Sequence, residues 1–272
     1  MGDLSVFQAF VLGALQGLAE FLPISSSAHL ALAPWAFGWP EPGLAFDVAL
    51  HVGSLVALLW YFRAEWIALA RAALAIAAKR RVETIEERRV ILLIIATIPG
   101  GIAGLLLEKK AETVFRAPAL TAAALIVMGA VLWIVDARAA RNRDLNAFTN
   151  RDALLVGIAQ AFALIPGVSR SGATITAGRA LGFDRASAAT FSFMMCMPII
   201  AAAAILKVPK ALHEGGVTLP LAVAVITAAL SSALAINGLL RFVRNRGLGI
   251  FAMYRFVLGA AVLALVAYRA KS

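Results

Sequence analysis

Six apolar stretches, Phe46 to Phe62, Val90 to Leu107, Ala117 to Val135, Ala186 to Leu206, Leu219 to Leu240 and Phe251 to Tyr268, approach the ~20 residues with which a helix crosses a bilayer core. A chain of 272 residues has too little polar sequence to cover six such segments in water. It is 62% hydrophobic and 15% charged, against roughly 45–50% and 25% in an ordinary soluble domain. The expected fold is an all-α polytopic membrane protein with about six full transmembrane helices. The N-terminal stretch Val6 to Leu22 has Asp3 as its only nearby charge, so it is expected to belong to the fold rather than to a cleaved leader. Cys196 stands alone in an apolar segment and is read as packing.

The net charge of +10 does not point to nucleic acid, because the basic residues fall in short connections between apolar spans. Arg63, Arg71, Lys79, Arg80, Arg81, Arg88 and Arg89 crowd one connection, Arg138, Arg141, Arg143 and Arg151 a second, and Arg241, Arg244 and Arg246 a third. The positive-inside rule puts all three in the cytoplasm. Six spans alternate correctly with that assignment only if the segments before Phe46 and between Arg151 and Asp184 each return to the side they came from. Two re-entrant helical hairpins are therefore expected.

Those two segments resemble each other. Laying Gln16 on Gln160 gives an offset of 160 − 16 = 144, which also lays Ser25 on Ser169 and Ser27 on Ser171. Each copy is an apolar segment broken by a proline (Pro23, Pro166) and a serine-rich turn, then three spans. Three is odd, so the second copy starts from the opposite side: an inverted-topology repeat. The chain is thus read as one transmembrane domain, with repeat 1 over about residues 1–140 and repeat 2 over about 150–272.

The first motif runs Gln16-Gly-Leu-Ala-Glu20-Phe-Leu-Pro-Ile-Ser25-Ser26-Ser27-Ala-His29. Gln16 and Glu20 share a helix face, and Pro23 ends or kinks that helix. An ionised carboxylate at the bilayer centre costs about 2.5–3.5 kcal/mol even on the lenient insertion scale, so Glu20 needs a partner or a wet cavity. A polar staple between helices would need only Gln16 and the serines. A carboxylate, an imidazole and three hydroxyls around one break exceed that need.

The second motif runs Pro166-Gly167-Val168-Ser169-Arg170-Ser171-Gly172-Ala173-Thr174. Its glycines and proline expose backbone N–H groups, Ser169, Ser171 and Thr174 add hydroxyls, and Arg170 presents a planar fork suited to two phosphate oxygens. The plainer alternative is that Ser169 caps a helix and Arg170 snorkels to an interface. Neither motif is a Walker loop, a dinucleotide fingerprint or a zinc pattern.

Together EFLPISSSAHL and PGVSRSGAT resemble the undecaprenyl pyrophosphate phosphatase family, known for bacitracin resistance, and the segment Phe46 to Ser54 resembles that family's first full span. The family's first motif has Glu or Gln followed four residues later by Glu, so Gln16 is the less acidic variant. The resemblance implies hydrolysis of undecaprenyl diphosphate to the monophosphate and inorganic phosphate, recycling the carrier lipid for peptidoglycan synthesis. It also implies a divalent cation, Mg2+ or Ca2+, with Glu20 and Gln16 as its expected ligands. Glu20, Ser26, His29 and Arg170 are the expected catalytic residues; Ser25, Ser27, Gly167, Ser169, Ser171 and Thr174 are expected to bind substrate. Three attacking groups stay open: Ser26 with His29 or Glu20 taking its proton, water activated by Glu20 and His29, and His29 itself.

Asp47 and His51, four apart in the next span, either line this site or bond to each other or across helices. The tryptophans Trp35, Trp39, Trp60, Trp66 and Trp133 near span ends suggest an interfacial belt, and the pairs Gly13/Gly17 and Gly100/Gly104 suggest close helix packing. The competing function is a secondary transporter or flippase for a phosphorylated lipid or small anion, which would need the phosphate donors but no nucleophile. The expected setting is the bacterial inner membrane, with the site facing the periplasm. Its partners would be the lipid substrate, the membrane and a second copy of the chain as a homodimer, with no nucleic acid.

Overall fold

A computed structural model describes residues 4–112 and 117–271. Eleven α-helices, and no strands, are found among the described residues. They are α1 (Val6–Phe21), α2 (Ser26–Phe37), α3 (Gly43–Tyr61), α4 (Arg63–Lys79), α5 (Ile85–Glu112), α6 (Pro118–Arg138), α7 (Asn150–Ala161), α8 (Arg170–Ala180), α9 (Arg185–Gly215), α10 (Leu219–Asn245) and α11 (Gly249–Arg269). Five of them, α5, α6, α9, α10 and α11, are long and apolar enough to cross a membrane. The sixth expected span, α3, is joined to α4 through a bend of 84°. The first basic connection is therefore mostly a helix.

The hairpins α1–α2 and α7–α8 are built from helices too short to span. At 1.5 Å per residue the 12 residues of α2 reach only about 18 Å, against a hydrocarbon core of about 30 Å. The ends of α7–α8 return to one place: Arg143 N–H donates to the Gly182 carbonyl at 3.2 Å and Asp184 N–H to the Arg143 carbonyl at 2.9 Å. All three basic connections gather at that end of the bundle. Arg88 and Arg89 donate to the Phe148 carbonyl and to Asn146, and the Asp136 carboxylate accepts from Arg179, from Arg185 and from the Leu248 amide. At the opposite end Arg269, closing α11, donates to the carbonyls of Trp35 and Ala36 in α2. The two hairpins thus enter the bundle from opposite ends.

The halves exchange contacts. Helix α1 of the first half packs on α10 of the second, and α7 of the second packs on α5 of the first. Gly13 makes the first approach possible, since a Cβ there would strike the Ala224 backbone, and Gly157 does the same against Ala96. Gly13 and Gly157 are 157 − 13 = 144 apart, as the repeat requires, but their partners are only 224 − 96 = 128 apart. The difference of 16 residues is close to the 17 of α4, an element with no counterpart in the second half. Gly17 and Gly100 also pack tightly, whereas Gly104 has open space where a Cβ would stand and contributes no close approach.

Candidate active site

Both hairpin tips end on a serine in the left-handed region, Ser25 at φ 76° and Ser169 at φ 72°. Non-glycine residues hold such angles at a cost of order 1–3 kcal/mol, and only where the surroundings enforce them. Each serine caps the helix that follows: Ser25 Oγ accepts from the Ala28 amide at 3.4 Å, and Ser169 Oγ from the Gly172 amide at 3.0 Å. The tips also hold each other. The Gly167 amide donates to Ser25 Oγ at 3.1 Å, and Ser171 Oγ donates to the Leu22 carbonyl at 3.0 Å. The N-termini of α2 and α8 consequently meet, and their partial positive charges favour an anion between them.

A fully buried guanidinium fixes this junction. Arg255 in α11 donates through Nη1 to the Pro23 carbonyl at 3.1 Å, through Nη2 to those of Gly167 and Val168 at 2.6 and 3.1 Å, and through Nε to that of Leu125 at 3.1 Å. Pro23 and Gly167 are again 144 apart, so one side chain binds matching carbonyls of both tips. Arg255 is the one charge inside the apolar stretch Phe251 to Tyr268, a signal in itself, but its partners are set only by the tertiary fold, which carries α11 beneath the two turns.

Above the junction lies a cavity of about 170 Å³ whose walls include Glu20, Ser26, Ser27, His51, Ser169 and Arg170, with Gln160 and Gly100 beside them. Glu20 is its centre. One carboxylate oxygen pairs with the Arg170 guanidinium. The other accepts from Ser26 Oγ at 2.6 Å and from Gln16 Nε2 at 3.1 Å, and faces His51 Nε2 at 3.5 Å. Glu20 and Arg170, from hairpins entering at opposite ends, thus share one site.

The expected substrate-binding residues divide in two. Ser27 and Ser169 line the cavity. Ser25, Gly167 and Ser171 are engaged in the bonds between the tips, and Thr174 Oγ1 bonds to the Arg170 carbonyl at 2.8 Å and to Ser192 Oγ at 2.6 Å. These four shape the loops, and none of them lines the cavity.

His51 lines the cavity, and His29 does not. His29 Nδ1 donates to the Ser25 carbonyl at 2.7 Å, and Nε2 lies 2.6 Å from the hydroxyl of Tyr254, on which the ring stacks. In a neutral imidazole both nitrogens are then occupied. His51 Nδ1 donates to the Asp47 carbonyl at 2.7 Å, which leaves Nε2, the basic nitrogen, turned to Glu20. Of the tryptophans, Trp66 departs from the belt: its indole N–H is buried and it lines a groove between helices.

A divalent cation is best tested on the donors present. No group of three or more His, Cys, Asp or Glu side chains converges among the described residues. Gln16 Oε1, beside Glu20, and Gln160 Oε1, at the repeat-equivalent position, are buried without a hydrogen-bond partner. One carboxylate, two amide oxygens and a hydroxyl are hard oxygen donors of the kind that hold Mg2+ or Ca2+ when substrate phosphates complete the shell. The set fits in kind.

Residues 9–261 match the family described as bacitracin resistance protein BacA. The chain belongs to that family. Among curated BacA-like relatives, an undecaprenyl-diphosphatase of Gemmatimonas aurantiaca is 58% identical over 98% of this chain and all of its own length. Those of Pelotomaculum thermopropionicum and Moorella thermoacetica are each 48% identical, over 98% and 96% of this chain and 98% of their own lengths. For a BacA chain, the resemblance read from the two motifs therefore extends over nearly the whole length.

Proposed function

We propose that this chain is an undecaprenyl-diphosphate phosphatase of the bacterial inner membrane, releasing inorganic phosphate and undecaprenyl phosphate. The observation that carries the reading is the Ser26–Glu20–Arg170 arrangement at two converging helix N-termini. A transporter needs the anion-binding half of this arrangement but has no use for a hydroxyl held against a carboxylate.

The diphosphate lies between the α2 and α8 N-termini, with its terminal phosphate against Arg170. Glu20 takes the proton of Ser26, whose Oγ attacks the terminal phosphorus in line with the bridging oxygen. The P–O bond to that oxygen breaks, and undecaprenyl phosphate leaves as an anion stabilised by Arg170 and the Ser27 and Ser169 hydroxyls. Water then gives a proton to Glu20 as its oxygen attacks the phosphoserine phosphorus; the Oγ–P bond breaks, Glu20 returns that proton to Ser26 Oγ, and inorganic phosphate leaves. His51 Nε2 faces Glu20, accepts the Ser26 proton from it between the steps and releases it to solvent. A divalent cation, held by Glu20 and Gln16, would neutralise phosphate oxygens through the reaction.

The basic end of the bundle takes the cytoplasmic side by the positive-inside rule. The α1–α2 hairpin, entering from the opposite end, then opens the cavity to the periplasm. Purified protein given C55 diphosphate, with Mg2+ or Ca2+ and then with excess chelator, is expected to release phosphate in a metal-dependent manner. Binding of the lipid without phosphate release under either condition would favour the transporter.

A further inference from the structure

We infer that the apolar groove between α4, α5 and α9 receives the isoprenoid chain of the substrate, an inference that rests on the lipid-diphosphatase reading. The catalytic cavity, at about 170 Å³, has room for a diphosphate headgroup and not for a polyprenyl chain, so the chain must leave it by some wall. One wall is shared. On α5, Gly100 lines the polar cavity and Gly101 the groove; on α9, Ile199 lines the cavity while Met197 and Pro198 line the groove.

The groove has a volume of about 550 Å³ and walls that are apolar almost throughout. Its one hydroxyl, on Thr97, is spent on the Leu93 carbonyl at 2.7 Å. Gly101 keeps the passage open, for a Cβ there would meet no atom within 4 Å, whereas at Gly100 it would meet Gln160 and Ile199. The outer wall is Trp66, Leu69, Ala70 and Ala73 of α4. That helix is the element without a counterpart in the second half, and the 84° bend after α3 lays it over α5. The repeat thus brings two hairpin tips to one headgroup site, and its single unmatched helix adds an apolar channel on one side.

The test fills the groove from each wall, with Ala73→Trp on α4 and Gly101→Leu on α5. Phosphate release is measured from undecaprenyl diphosphate and from the C5 dimethylallyl diphosphate, which has no chain to fill the groove. The expected result is a fall of about tenfold or more in the ratio of kcat/KM for C55 over C5, in both variants, the effect of a few lost methylene contacts. An unchanged ratio in both variants overturns the inference, whether both substrates are unaffected or both decline together. Failure of the unmodified protein to release phosphate from either substrate would instead remove the phosphatase reading beneath it. Ala73 is exposed, so its variant should fold, and equal elution and melting temperature for it and the parent protein secure the comparison.

Discussion

Ser26 Oγ donates to Glu20 Oε2 across 2.6 Å, although a proline-broken turn separates the two residues. The contact joins the start of one helix to the end of another and places a hydroxyl against a buried carboxylate. Ser26→Ala is expected to reduce kcat on the order of 10³-fold or more, and Glu20→Gln by roughly 10²–10⁴-fold. Trapping of 32P on the protein separates the routes: labelled wild type and unlabelled Ser26→Ala support attack by the serine. Substantial turnover in Ser26→Ala would transfer the attack to water.

Arg170 pairs with Glu20 and is the guanidinium lining the cavity. Arg170→Lys keeps the charge and removes the fork, so a loss of roughly 10²–10³-fold in kcat is expected with folding intact. Activity close to that of the parent would mean that Arg170 acts through its charge alone.

His29 and His51 give opposite expectations. His51→Gln should lower kcat with little change in KM or melting temperature, because its Nε2 faces Glu20. His29→Gln should lower the melting temperature as well, because both ring nitrogens tie α2 to its own turn and to α11. Tyr254→Phe, which deletes one of those bonds, should reproduce part of the His29 effect. A His29 variant of full stability and no activity would restore His29 to the chemistry.

Arg255 touches no cavity wall yet binds both tips. Removal of its side chain leaves four buried carbonyls without these donors, at about 1–3 kcal/mol for each one left unsatisfied, so Arg255→Met is expected to unfold or express poorly. Arg255→Lys should fold, lower kcat and leave KM for the lipid near its parent value, since the tips shift while the headgroup charges remain. A proportionate change in kcat and KM would point to a role in binding.

Cysteine placed at Ser27 and at Arg141, singly and after replacing the buried Cys196, tests the orientation with a membrane-impermeant thiol reagent on intact cells. Labelling at position 27 and protection at position 141 are expected. The reverse pattern would turn the site toward the cytoplasm.

The membrane class, the six apolar segments, the two hairpins and the pairing of the motifs were legible in the sequence for a physical reason. Apolar length, basic connections and a proline-broken polar turn each act within about twenty residues, and each has one workable solution in a bilayer. The 144-residue offset carried the same information from Ser25 to Ser169. The tertiary structure decided what depends on residues far apart in the chain. It turned His29 toward Tyr254 and His51 toward Glu20, engaged Thr174 with Ser192, and set Arg255 beneath Pro23 and Gly167. A side chain's partner across helices is set by the rotation and depth of the helices that carry it. Periodicity in one segment cannot encode that, and packing of α11 and α3 against the hairpins can.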